Sequence, residues 1–213
     1  TGDELPDMDD HWRRLETLLG QEIVRVTHPL FPDLLSLCRH KKALPNHWMR
    51  FCTGILKIEA ARLFYESLED DVTVYIGLRA DEETRLGNYD TTIKQAFPLR
   101  EWGWRLQDVM RYLNSRGVSI PRRTDCARCF HQKISEWWNL WKDYPEIFAD
   151  AERWEAEFGN TFVTPGKWPN WPHRLKDMRR DFEKGRVPRK ADAHVPMFPE
   201  FGSDNGRCRA CTL

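Results

Sequence analysis

Apolar positions along this chain switch between helical and extended spacing, and the alternation predicts a mixed architecture. Asp7 to Gly20 reads as a helix, with Trp12, Leu15 and Leu19 on one stripe and Gly20 as its stop. Glu22-Ile23-Val24-Arg25-Val26 is short and β-branched and predicts a strand. Beyond Pro29 and Pro32 comes a short apolar run through Leu34, Leu35 and Leu37. Arg50 to Lys57 then leads into a long helical stretch through Leu63, Phe64 and Leu68. Val72 to Leu78 alternates and is the strongest strand signal in the chain. Helix and strand following one another in this order predict an α/β chain with a parallel sheet.

The second half reads as mainly helical. Leu106, Val109, Met110 and Leu113 recur at helical spacing between Arg105 and Arg116, and Gly117 ends the pattern. Ser135 to Lys142 and Pro145 to Phe158 form two further helices. The second carries Ile147, Ala151, Trp154 and Phe158 as a stripe, Pro145 near its start and Gly159 at its stop. Residues 164–172 read as a Pro- and Trp-rich loop and Pro172 to Lys184 as a basic helix. From Gly185 to Asn205 the chain is a polar, Pro-broken arm that brings the tail back to the body.

Composition narrows the picture. With 213 residues the chain supports one domain with a substantial core, or one domain and a small appendage. Lys plus Arg and Asp plus Glu are 33 each, so the zero net charge argues against a strongly electrostatic nucleic-acid or membrane binder and leaves room only for a local patch. No apolar run approaches the roughly 20 residues of a membrane span. Ten Trp suggest a rigid core or platforms for flat ligands. Trp137, Trp138 and Trp141, at i, i+1 and i+4, read as core before they read as a base-stacking surface. Arg174, Lys176, Arg179 and Arg180 read first as a solvated helix face, with nucleic-acid contact as the alternative. The chain opens on Thr1, so a segment upstream is expected and the lack of a signal peptide carries no weight. Six Cys favour a reducing compartment, hence a cytoplasmic protein, and metal chemistry.

The most specific chemical signal is a pair of C-x-x-C motifs, Cys126-Ala127-Arg128-Cys129 and Cys208-Arg209-Ala210-Cys211. Two residues between sulfurs let both face one metal or cluster. The 78 residues between the pairs far exceed the roughly 15–20 of a local zinc ribbon. The four thiols are therefore expected to fasten the tail to the body through a metal or cluster, in preference to coincidence or disulfides. Arg122, Arg123, Arg128 and Arg209 lie beside them in sequence and are expected to favour thiolate. Cys38, in an apolar helical stretch, reads as a buried small hydrophobe. His131 reads as a surface residue, with ligation as the alternative. Gly77, Arg79 and Arg85 lie in and just beyond the end of the best strand. That is where parallel sheets bind ligands, a solvated loop being the equal alternative.

Several segments, in their order, resemble the phosphoadenosine-phosphosulfate (PAPS) reductase family of the PP-loop, adenine nucleotide alpha hydrolase-like group. Thr1-Gly2-Asp3-Glu4-Leu5-Pro6 is similar to that family's D-T-G-x-x-F/L-P turn, and Cys52-Thr53-x-x-Leu56-Lys57 to its C-[CT]-x-x-x-K segment. Gly77-Leu78-Arg79-Ala80-Asp81-Glu82 resembles its G-[IL]-R-x-x-E loop, and Pro98-Leu99 through Trp102, Asp108-Val109 and Tyr112 its P-[IL]-x-x-W-x-x-x-D-V-x-x-Y element. The likeness covers about the first two-thirds of the chain. Two departures stand out: the S-G-G-K-D-S phosphate loop is absent, and the tail reads Cys208-Arg-Ala-Cys211-Thr-Leu in place of E-C-G-x-H.

The resemblance implies a Rossmann-like parallel sheet, amino-terminally incomplete, with a helical Cys-containing C-terminal region. Residues 1–125 would form the nucleotide-binding domain, its first βα unit truncated or encoded separately, and 126–213 a Trp-rich region packed on it. It implies binding of an adenylyl (phospho)sulfate or ATP, with Gly2, Lys57, Arg79 and Arg85 at the nucleotide. Pairing of Arg79 with Asp81 or Glu82 is the alternative for that residue. Cys126, Cys129, Cys208 and Cys211 would hold a [4Fe–4S] cluster, or zinc, while Cys52 or Cys211 would serve as nucleophile. The implied partners are the nucleotide, an electron donor such as thioredoxin, and a second copy of the chain, with no membrane. Two alternatives stand beside the reductase: a sulfurtransferase acting on DNA or tRNA, and a non-catalytic interaction module held by zinc or a cluster.

Overall fold

The computed structural model describes residues 1–68, 71–83, 85, 93–118 and 124–189. Helices α1 (Asp7–Leu19), α2 (Leu34–Lys41) and α3 (Phe51–Thr53) come first, and α3 runs into a π-helical stretch at Gly54–Glu59. Then follow α4 (Ala60–Glu66), β1 (Thr73–Tyr75), β2 (Lys94–Ala96), α5 (Pro98–Glu101) and α6 (Leu106–Ser115). Helices α7 (Ile134–Asp143), α8 (Pro145–Phe158) and α9 (Leu175–Glu183) complete the described order. The described residues are mainly helical with a small two-stranded parallel sheet, which is compatible with an α/β chain. No described helix is long and apolar enough to cross a membrane.

The chain divides into two compact units. One comprises Thr1–Glu4, Thr27–Lys57 and the described residues from Asp125 onward; the other comprises Leu5–Val26 and Ile58–Thr124. In the second unit β1 and β2 pair in parallel, with Thr73 opposite Lys94 and Tyr75 opposite Ala96. The strand predicted over Val72 to Leu78 is shorter than its pattern because Leu78 N–H turns back to the Ile76 carbonyl at 2.9 Å, ending the ladder. The strand predicted over Glu22 to Val26 does not form. Ile23 N–H donates to the Glu16 carboxylate at 3.1 Å, and Arg25 lies 4.6 Å over the Trp12 ring and pairs with Asp9. Those contacts tie the segment to α1 by side chains, leaving Val24 67% exposed. On α1 Met8 is buried and the predicted stripe faces inward through Trp12 and Leu15, which are partly buried, while its last residue, Leu19, faces solvent.

The first unit is built on aromatic packing. Pro145 restricts Tyr144 to a non-helical conformation, which stops α7 at Asp143 and starts α8 one residue later. Trp137, fully buried, stands edge-on to Phe148 and 5.8 Å from Phe162. Trp141 and Trp171 both lie against Phe182 of α9. The Trp run of α7 is thus core, as its spacing suggested. Leu175, Met178 and Phe182 give α9 its buried stripe. Two of its cations are paired at the surface, Arg179 with Glu152 and Glu183 and Arg180 with Asp177, while Lys176 is exposed.

Candidate functional site

The site forms where the chain's first residues meet the first C-x-x-C loop. Gly2 has φ +66°, and a Cβ there would sit 3.0 Å from Asp33 Cβ and 3.2 Å from the Pro32 carbonyl, so only glycine fits. Asp33 is held in place because it caps α2, accepting the Ser36 N–H at 2.7 Å. The turn at Gly2 delivers Asp3 into the protein, where it is 4% exposed. Its carbonyl accepts Ala127 N–H at 2.5 Å, its carboxylate accepts Arg128 N–H at 2.9 Å, and the Arg128 guanidinium closes an ion pair on it. Burial raises the Asp3 pKa despite that cation. Arg128 also reaches Asp150 at 3.3 Å and lies 4.4 Å over the Trp154 ring.

Around this anchor the loop turns tightly: Cys129 N–H bonds the Cys126 carbonyl at 3.2 Å and Gln132 N–H the Cys129 carbonyl at 3.1 Å. Gln132, fully buried, donates its amide to the Ala127 carbonyl at 2.6 Å. Lys167 spans the carbonyls of Phe130 and Gln132 at 3.2 and 3.1 Å. Cys126 Sγ lies 3.0 Å from the Thr1 hydroxyl. The thiolate expected beside Arg128 is not favoured, since that guanidinium is spent on Asp3, Asp150 and Trp154. Burial pushes the Cys126 thiol up to about 11, with Lys57 opposing the shift. Cys129 is buried beside it.

Lys57 also opposes the burial that raises the Cys52 thiol. One ammonium therefore acts on two thiols, Cys52 and Cys126, that are 74 positions apart in sequence. Cys38 is fully buried and pushed up to about 12, the small hydrophobe its helix suggested. All four described cysteines are thiols. Gly2, Cys52, Lys57, Cys126 and Cys129 thus share one unit.

Arg79 and Arg85 belong to the other unit, beyond the end of β1. Arg79 is 7% exposed, forks onto Asp81 at 2.9 and 3.3 Å, and lies 3.6 Å from Glu82. Arg85 bonds Glu82 at 2.6 Å, and Arg100 caps the Glu82 and Arg85 carbonyls, both at 2.6 Å. This loop is held by its own ion network, the pairing alternative that sequence offered for Arg79.

The spacing and turn of Cys126 and Cys129 fit one half of a four-thiolate centre. Cys208 and Cys211, together with Arg122, Arg123 and Arg209, lie outside the described residues. Among the described residues no third His, Cys, Asp or Glu completes a metal-holding group. Sequence reasoning missed Asp3, whose role depends on a partner 125 residues away; its one local sign was an acid in an otherwise turn-like opening. Comparison with family models, curated proteins and solved structures found no match to this chain.

Proposed function

We propose that this chain is a PAPS-reductase-like enzyme with a Rossmann-like, adenine nucleotide alpha hydrolase-like core. It binds an adenylyl (phospho)sulfate or ATP and reduces or transfers sulfur. The observation that supports this reading best is the gathering of Gly2-Asp3, Cys52-Lys57 and Cys126-Cys129 in one unit, with Lys57 acting on two thiols. The first two of these segments are among those that carry the resemblance. Sulfur transfer needs a nucleophilic thiol and a cation that steadies its thiolate or a sulfate oxygen. Cys52 and Lys57 have that chemistry.

In this reading Cys126, Cys129, Cys208 and Cys211 hold a [4Fe–4S] cluster, which supplies one-electron chemistry when bound. With Cys211 a ligand, Cys52 is the thiol left to act as nucleophile. Gly2 lets the opening turn approach closely, and Asp3 and Arg128 set the angle at which Cys126 and Cys129 are presented. Arg79 and Arg85 shape the nucleotide loop, where phosphate oxygens would replace the carboxylates of Asp81 and Glu82 on the same forks.

The test is anaerobic purification with iron, sulfide and zinc analysis, beside binding of labelled phosphoadenosine phosphosulfate and ATP. The expected result is about four irons per chain, lost in Cys126→Ala, and nucleotide binding weakened at least tenfold in Lys57→Ala. Zinc in place of iron, with neither nucleotide bound, would overturn the enzyme in favour of an interaction module.

A further inference from the structure

Between Asp33 and Glu59 the chain carries five cations, Arg39, Lys41, Lys42, Arg50 and Lys57, and no carboxylate, although its net charge is zero. The structure gathers part of this run into an exposed surface. Arg39, His40, Lys41 and Lys42 are all exposed at the end of α2, and Arg39 is paired with Glu157 at 3.1 Å. Lys41 and Lys42 have no carboxylate partner among the described residues. Lys42 holds φ +53°, alone among the described non-glycine residues in the left-handed region, at a helix end where glycine or asparagine is the ordinary choice.

Beyond it the backbone is pinned. Leu44 is fully buried and exchanges two hydrogen bonds with the Asn160 amide, at 2.9 and 3.0 Å. The chain then emerges in a tight turn whose Asn46 carboxamide accepts the N–H groups of both Trp48 and Met49, at 2.9 and 3.0 Å. That turn presents Trp48, 82% exposed, with His47 edge-on to it at 5.6 Å. Trp48 lies six and seven positions beyond Lys42 and Lys41, so the Cα atoms of the lysines and the tryptophan lie within about 25 Å of one another, a span that a short single strand covers.

We infer that this surface, Lys41 and Lys42 with Trp48, binds single-stranded nucleic acid, its lysines on phosphates and its indole stacked on an unpaired base. Cations without carboxylate partners complement a polyanion, and an exposed ring on a braced turn is a ready platform for the flat π-face of an unstacked base. A duplex hides that face. A membrane-surface element would need a continuous apolar face, whereas here one Trp and a partly exposed Met stand among charges. On the basic helix α9 Arg179 and Arg180 are paired with carboxylates, and the exposed Lys176 has no exposed tryptophan on its own helix. The inference does not rest on the nucleotide-dependent reading, because its readout is binding alone.

The experiment is fluorescence polarisation of labelled oligo-dT and oligo-U of about 12 nucleotides against the full chain, in a salt series. Trp48→Ala should weaken binding about tenfold or more, with Trp48→Phe recovering part of it. Lys41→Gln with Lys42→Gln should lower the slope of log affinity against log salt by roughly 1.4. Arg179→Gln with Arg180→Gln should leave both readouts unchanged. Preference for oligo-U over oligo-dT would identify RNA as the source of the strand, and the reverse preference DNA. Absence of binding, binding untouched by the Trp48 and Lys variants, equal affinity for a duplex, or capture by anionic vesicles but not by oligonucleotides would each overturn it. Unchanged circular dichroism of the variants keeps loss of fold out of the comparison.

Discussion

The Asp3–Arg128 pair concentrates the energetics of the site in two side chains. Asp3 is almost wholly buried, and its carboxylate accepts both a backbone N–H and a guanidinium. Removing the cation strands the acid, so Arg128→Ala should destabilise the chain by about 3–5 kcal/mol, whereas Asp3→Asn keeps an acceptor for the backbone and should cost about 1–2 kcal/mol. Urea denaturation of the two single variants and of the double Asp3→Asn/Arg128→Ala measures this, and a double variant no worse than Arg128→Ala would identify the stranded charge as the cause. Equal losses from both single variants would contradict it. Gly2 belongs to the same scale, since its positive φ and its approach to Asp33 aim Asp3 at the loop. The sulfurs obey the same local rule. Burial raises the Cys126 thiol more than the Lys57 ammonium lowers it, while the arginine nearest in sequence is engaged elsewhere.

At the scale of elements, one acid of α8 holds two backbone amides beyond the helix. Glu155 accepts Phe162 N–H at 3.2 Å and Leu175 N–H, the first residue of α9, at 2.8 Å. Burial raises its pKa from 4.5 to about 7, with Arg174 opposing and Glu152 adding to the shift. Because the folded value lies above the unfolded one, the native state holds the extra proton between about pH 4.5 and 7. Stability from this group is therefore full below pH 4.5 and falls as pH rises, by up to about 3 kcal/mol at pH 7 and above. Glu155→Gln should flatten that part of the profile, read as the wild-type-minus-variant difference in unfolding free energy at pH 4.5 and pH 7.5. An unchanged difference would refute the assignment. The neighbouring boundaries follow from the chain itself: Pro145 sets the α7–α8 break, and Gly159, at φ +72°, ends α8.

For the whole molecule, a metal or cluster held by Cys126, Cys129, Cys208 and Cys211 would close a chain loop across the 78 residues between the pairs. Binding of that kind is folding free energy, so anaerobic chelation should lower the melting temperature by several degrees and leave Cys126→Ala, already without the metal, unmoved. A melting temperature indifferent to chelation would separate the tail from stability. Much of this organisation was legible beforehand. The helices α6, α7, α8 and α9 appear within a few residues of where the apolar period and the Pro and Gly boundaries put them, and the Trp run of α7 lies in the core as its spacing implied. Periodicity, proline and glycine act within a few residues of themselves, so the sequence alone determines where such elements begin, end and turn their apolar side. It could not decide whether Glu22 to Val26 finds a strand partner, where the guanidinium of Arg128 goes, or that Lys57 acts on both Cys52 and Cys126. Those outcomes depend on contacts and burial between residues far apart in the chain, and only the tertiary structure sets them.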